Sequence, residues 1–393
     1  MRLALDEEQT AFGRTLDRML GGADVPGAVR AWAAGERGPG RALWRRLADA
    51  GVFALAVPEA YGGVGPLPVE LAVAYVELGR HAVPGPVVET TAGAVLLGAL
   101  TERGGTHTAE PAGRWLPRIA SGQAMVTLGA PEAGPYVLDA DAADAVFVVS
   151  GQDLRQAAAH GPLQPSQDPA RRLFRPVLDD PGRMTGPRRD PAAGRAGGPE
   201  AARLPGQATG RATGPATCPG QADGPRRLNG PAVAAAAARA ADWAAFATAA
   251  QALGVGLALL ERTVSHARRR SQFGRAIGSF QAVKHRLADV LIGLEFARPL
   301  LYGAAVALAD DRPDAGAEVA AAKVAAGEAA YGAARAALQL HGAIGYTAED
   351  DLSLWLRKAR ALRSAWGDPA TCRARFLALH TDHHPAKPEV GGA

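Results

Sequence analysis

The stretch Arg270-Ser271-Gln272-Phe273-Gly274, followed after a short turn by Phe280-Gln281-Ala282-Val283, constrains this chain more than any other. It predicts one long helix ending near Gly274, a corner at Gly278 and a second helix opening near Phe280. Arg270 then stands at a helix C-terminus, where a cation suits the dipole and its guanidinium is free to reach a phosphate. Residues beyond 230 read as a helical bundle built around this corner. Ala234 to His266 is rich in helix formers, and Gly254 and Gly256 within it suit close approach of neighbouring backbone. Further helices are expected over roughly 280–309, 315–340, 349–365 and 369–380, with Asp368-Pro369 as the start signal of the last.

The first third of the chain is also helical in pattern. Phe12, Leu16 and Met19-Leu20 have helical spacing, and residues 68–81 and 90–100 read as further helices. Pro58-Glu59-Ala60-Tyr61-Gly62-Gly63-Val64-Gly65 between them is a glycine turn. Past Gln123 the apolar runs become short, branched and turn-bounded, as in Ala124–Leu128, Tyr136–Leu138, Ala145–Val149 and Leu173–Leu178, which suits strands. The expected fold is therefore mainly α with a central β domain. Its divisions are residues 1–118 (helical), 119–230 (β, with a Gly/Pro/Arg-rich segment at 181–230) and 231–393 (helical bundle).

Charge and cysteine usage narrow the function classes. Residues 181–230 hold eight Arg against two Asp and one Glu, which leaves the rest of the chain near neutral. That basic content is diluted in Gly and Pro without aromatics to stack bases, so a solvated insert is expected and nucleic-acid binding is not. Cys218 and Cys372 make neither a disulfide scaffold nor metal-ligand spacing, and no metal is expected. The N-terminus turns acidic at Asp6-Glu7-Glu8, and apolar stretches such as 246–260 carry polar residues. The reading is a soluble, cytoplasmic protein without a membrane span.

Taken together, Val57–Gly65, Arg270–Gly274 with Phe280–Val283, Gln339-Leu340-His341-Gly342-Ala343-Ile344-Gly345-Tyr346 and Arg357-Lys358-Ala359-Arg360 resemble the acyl-CoA dehydrogenase family over nearly the full length. The resemblance implies a helical domain, a β barrel and a four-helix bundle, assembled as a homo-oligomer or as a heteromer with a related dehydrogenase subunit. It implies FAD bound across a subunit interface and an acyl-CoA or acyl-carrier substrate. Arg270 matches an arginine on the FAD phosphate, Phe273 an aromatic at the same interface, and Gln281 a glutamine near the adenosine half. Gln339, Gly342 and Gly345 match the segment that binds FAD from the partner subunit, with Ala343 where glycine is common.

The resemblance also exposes a gap. Family chemistry removes a proton beside the thioester with a carboxylate while flavin accepts hydride from the next carbon. Counting from Gln339 and Arg357 puts one family position for that carboxylate at Trp366; counting back from Gly274 puts the other at Ala244. Neither side chain can take a proton, so the catalytic residue is unknown. Asp368 reads better as a helix cap and Asp242 as a solvated helix residue. The family's Thr-Glu and Gly-Ser-Asp pattern is replaced by Thr127–Pro135, while Asp168–Arg172 keeps a family-like turn. The pattern resembles noncatalytic subunits of heteromeric acyl-CoA dehydrogenases found in bacterial sterol side-chain breakdown. It implies a flavoprotein subunit that helps form an FAD site for α,β-dehydrogenation of an acyl thioester, with the base from a partner chain. The alternatives are a stand-alone dehydrogenase using an unfamiliar base and a nonenzymatic assembly subunit.

Overall fold

A computed structural model describes residues 5–103, 106–130, 134–178, 216–217, 227–347 and 350–383. Most of the basic 181–230 segment lies outside them. The N-terminal helices are α1 (Glu7–Gly21), α2 (Val25–Ala34), α3 (Gly38–Asp49), α4 (Pro68–Arg80), α5 (Val87–Arg103) and α6 (Thr106–Ala120). Asp6 starts α1 through a capping box with Gln9, and Asp24 caps α2 by accepting from the Gly27 amide. Helix α6 carries Pro111 and Pro117 inside it. Trp115, Leu116 and Ile119 are buried, so the packing of one apolar face overrides the prolines' preference against helix.

The central strands are β1 (Val126–Gly129), β2 (Val137–Leu138), β3 (Ala145–Ser150), β4 (Asp153–Gln156), β5 (Ala159–His160), β6 (Leu173–Phe174), β7 (Pro176–Val177), β8 (Ala216–Thr217) and β9 (Arg227–Asn229). One sheet has the order β1-β3-β4-β9, with β1 and β3 parallel and the other pairs antiparallel; β2-β6 and β7-β5-β8 form two smaller sheets. Strand β3 is apolar on both faces because it divides two cores. Ala145, Phe147 and Val149 join the large helical core, whereas Val146 and Val148 face a small one with Val137, Ala157 and Phe174.

The C-terminal half is α7 (Pro231–Arg269), the hairpin β10 (Ser271–Gln272) and β11 (Arg275–Ala276), α8 (Gln281–Ala309), α9 (Ala315–His341), α10 (Leu352–Ser364) and α11 (Pro369–His383). By length and composition α7 and α8 could each cross a membrane, a stricter match than the sequence reading allowed. The most apolar window of α7 is 94% buried inside the protein, which is the situation of a core helix. Ala-rich faces let α7 and α9 lie close. A Cβ on Gly256 of α7 would stand 2.5 Å from Leu294 Cδ2 and 3.2 Å from Ala330 Cα, as expected for a glycine at a helix contact.

One buried group makes the fold sensitive to pH. Asp139 follows β2 in the left-handed region (φ 52°), is fully buried, and accepts from Trp32 Nε1 at 2.9 Å while its Oδ2 has no partner among the described residues. Burial pushes its carboxyl up to about 7, against the opposing effect of the Trp32 hydrogen bond. The native state therefore holds this proton more tightly than the unfolded chain does, and the associated stability is lost as pH rises from about 4 to 7. Asp139→Asn keeps the acceptor and tolerates the left-handed backbone. It is expected to raise stability by about 2 kcal/mol at pH 8, with the gain vanishing near pH 4. Urea midpoints of both proteins at the two pH values check this, and a variant less stable than the parent at pH 8 contradicts it.

Candidate functional site

Two regions carry the chemistry, and they lie apart. The first is the corner after α7. Arg270 caps that helix in extended conformation (φ −77°, ψ 123°), with its amide on the His266 carbonyl and its own carbonyl accepting from the Ile277 amide at 2.8 Å. Between β10 and β11 the turn is Phe273-Gly274, at φ 53° and 75°. Positive φ at both central residues is what a two-residue hairpin requires, and for phenylalanine it is unfavourable. Phe273 is also 91% exposed, touching Phe280 edge-on at a ring separation of 6.2 Å, while Arg275 lies 4.1 Å over the Phe280 ring. Gln281 opens α8 beside them and is exposed. Among the described residues Arg270 makes no ion pair, so its guanidinium is available.

Helix α9 ends next to α7. The rings of His266 and His341 stack with centroids 4.0 Å apart, and His341 Nδ1 lies 2.9 Å from the Ala337 carbonyl. Burial, reinforced by His341 and Arg270, lowers the His266 pKa. Gln339 is exposed; Gly342 caps α9 at φ 66° and ψ −141°, a conformation for glycine alone, with open space around it. Gly345 is buried against His341 and Leu338 and presents no backbone outward. The corner thus gathers Arg270, Phe273 and Gln281 on one side and Gln339 and Gly342 at the neighbouring helix end. A cation with no acid paired to it among the described residues, an exposed ring and a bare glycine suit an anionic ligand that carries a flat ring.

The second region is a cleft where α5, the β sheets, α10 and α11 meet. It comprises two cavities of about 530 Å³ each that share Leu128, Ala130, Ser364 and Trp366 among their lining residues. One is polar, with Glu89, Tyr136, Gln167, Arg171 and Arg360; the other is apolar, with Ala237, Ala241, Ala245 and Val149, and has Asp368 and Arg375 at its edge. Trp366 donates its Nε1 hydrogen to Glu89 Oε1 at 3.1 Å, and Arg171 Nη2 lies 3.7 Å from that oxygen. Lys323 of α9 donates to the carbonyls of Leu362, Arg363 and Gly367 at 3.0–3.1 Å, which pins the corner carrying Trp366. Burial brings that lysine's pKa down to about 8.

None of the six residues matched to FAD contacts lines either cavity of the cleft. Ala244 is buried in α7, and Asp368 caps α11 by accepting from the amides of Ala370 and Thr371 at 2.8 and 3.0 Å. Those hydrogen bonds lower its pKa. Asp242 is not the solvated residue expected: it is largely buried and paired with Arg375 of α11. Sequence reasoning missed Glu89, Arg171 and Lys323. A lone acid in the apolar run Val87-Val88-Glu89-Thr90-Thr91 was the available signal for the first. Elsewhere Asp17, Glu77 and His81 converge, with His81 Nε2 2.8 Å from Asp17 and Arg80 3.4 Å from Glu77.

Helices before and after a small β module, with a two-chambered cleft where they meet, define the class. Residues 6–123 match the acyl-CoA dehydrogenase N-terminal domain and residues 234–375 the C-terminal domain. The chain is 33% identical over 356 residues to the acyl-CoA dehydrogenase IpdE2 of Mycobacterium tuberculosis, covering 90% of this chain and 91% of that one. The chain belongs to the acyl-CoA dehydrogenase family, whose members are flavoprotein oxidoreductases. Among solved structures, the ChsE4-ChsE5 complex from Mycobacterium tuberculosis superposes with a TM-score of 0.73 at 24% identity, covering 98% of this chain and 100% of that one. The FAD complex of PigA gives a TM-score of 0.73 at 17% identity, covering 97% and 100%. At these identities the two structures show the shared fold alone.

Proposed function

We propose that this chain is a cytoplasmic acyl-CoA dehydrogenase subunit that completes an FAD site for α,β-dehydrogenation of an acyl thioester while a partner chain supplies the base. The observation that supports this reading is that none of the six residues matched to FAD contacts lines the chain's own cleft, which fits a corner that serves a neighbour's. Arg270 would hold the phosphates with Phe273 at the same interface, Gln281 the adenosine half, and Gln339 with Gly342 the partner-facing edge. When bound, FAD would accept hydride from the thioester's β carbon. Trp366 and Ala244 occupy the two family positions of the proton-accepting carboxylate, and neither accepts a proton.

A second observation favours assembly with another subunit. Leu291, Ile292, Phe296 and Leu300 of α8 are 46%, 52%, 71% and 39% exposed, and 292, 296 and 300 share one face. A stripe of that size on a helix favours burial against another chain. The ChsE4-ChsE5 complex, of which a chain shares this fold, supports a heteromer.

The test is purification of the chain alone and together with a related dehydrogenase encoded beside it, with flavin absorbance and subunit stoichiometry measured for both. FAD is expected in the joint assembly, with turnover abolished by removing the partner's carboxylate. Absence of flavin from both preparations overturns the reading.

A further inference from the structure

The cleft contains a feature that the missing carboxylate does not explain. Trp366 holds its backbone at φ 54°, a strained conformation for a bulky residue, followed by Gly367 at φ 117°. A strained position persists only where its surroundings fix it. Here three carbonyls around the corner are gathered by Lys323, and the indole N–H is gathered by Glu89. Glu89 is 97% buried, comes from a different helix, and lines only the polar chamber, whereas Trp366 lines both chambers. Of the four residues common to both chambers, Leu128, Ala130, Ser364 and Trp366, Trp366 has the largest side chain, and its indole N–H is tied to Glu89 on the polar side.

We propose that Trp366, anchored by Glu89, is a partition that stops an acyl chain at the end of the apolar chamber and so sets the depth to which a thioester's tail can enter this subunit. The proposal rests on the acyl-thioester reading above. Glu89 is a positioning residue in it. Its Oε1 takes the indole hydrogen and the nearby Arg171 guanidinium, while Oε2 has no partner among the described residues. That acceptor, rather than the charge, is what the indole needs. Removing the ring would join two cavities of about 530 Å³ into one passage from the Ala237–Ala241–Ala245 face of α7 to Tyr136 and Arg360.

Binding of butyryl-, octanoyl- and palmitoyl-CoA to the full-length chain, measured by titration calorimetry, tests the partition. The parent is expected to bind palmitoyl-CoA no tighter than octanoyl-CoA. Trp366→Ala is expected to bind palmitoyl-CoA at least about tenfold tighter than the parent does, with butyryl-CoA unchanged, because only the long tail reaches the opened space. Glu89→Leu, which leaves the ring unanchored, is expected to shift the same way and to red-shift tryptophan emission. Glu89→Gln, which keeps an acceptor, is expected to match the parent in both.

A chain-length profile unchanged in Trp366→Ala, or no binding by that variant, overturns the partition; should that variant not fold, Trp366→Leu is read by the same criteria. Glu89→Gln behaving like Glu89→Leu overturns the anchoring role. Flavin content is recorded on the same samples. Its absence throughout would sink the FAD reading and leave the chain-length comparison standing.

Discussion

Gly254→Ala is expected to cost about 3 kcal/mol or more of stability. A Cβ at residue 254 would stand 1.9 Å from the Val76 carbonyl oxygen, 2.8 Å from its carbon and 2.9 Å from the Arg80 amide nitrogen. All three are backbone atoms of α4, so no side-chain rotation relieves the clash. The contact is reciprocal, because a Cβ on Gly79 of α4 would meet the Gln251 carbonyl oxygen of α7 at 2.0 Å. Helices α4 and α7 must separate to accept either methyl, and the surrounding side chains then lose close packing on both sides. Gly332 of α9 is the control. Nothing lies within 4 Å of its absent Cβ, so Gly332→Ala is expected to be neutral or to stabilise by about 0.5–1 kcal/mol through helix propensity. Thermal and urea midpoints of the two variants check the contrast, and equal midpoints would mean that the crossing is looser than its geometry.

Arg270→Ala is expected to weaken FAD retention by about 10- to 100-fold while leaving the melting temperature of the flavin-free chain unchanged. The magnitude is that of a charge-assisted hydrogen bond, about 1.5–3 kcal/mol. The stability expectation follows from position: Arg270 is exposed, makes no ion pair among the described residues, and holds the hairpin through backbone atoms that alanine retains. Arg270→Lys is expected to recover part of the affinity, since lysine keeps the charge and loses the forked geometry. Flavin dissociation constants of the joint assembly, read from absorbance after ultrafiltration, decide the matter. Equal affinity in parent and Arg270→Ala removes Arg270 from the site.

Much of the helical framework was legible because its signals are local. The helices expected over 280–309, 315–340 and 349–365 fall within three residues of α8, α9 and α10, because runs of helix formers and apolar spacing are local signals. Helix α6 was not legible, since Pro111 and Pro117 argue against helix until Trp115 and Leu116 are seen buried. Glu89, Arg171 and Lys323 of the cleft were hidden for the same reason, and so was their association with Trp366, although the spacing marks Trp366 itself as a family position. Glu89, Arg171, Lys323 and Trp366 are scattered over nearly three hundred positions, and nothing in their local sequence ties one to another. Asp242 read as solvated because its partner Arg375 lies on another helix.

The sequence by itself determined the family, the helix–sheet–helix order and the corner from Arg270 to Phe280. These depend on residue type and short-range spacing, which steric and capping preferences translate directly into local structure. Only the tertiary structure decided that the corner's residues lie outside the lining of the cleft, that Trp366 is tied to Glu89, and that Lys323 pins the turn carrying Trp366. Those facts arise where separate helices meet, and burial there sets hydrogen-bond partners and proton affinities that no stretch of chain carries alone.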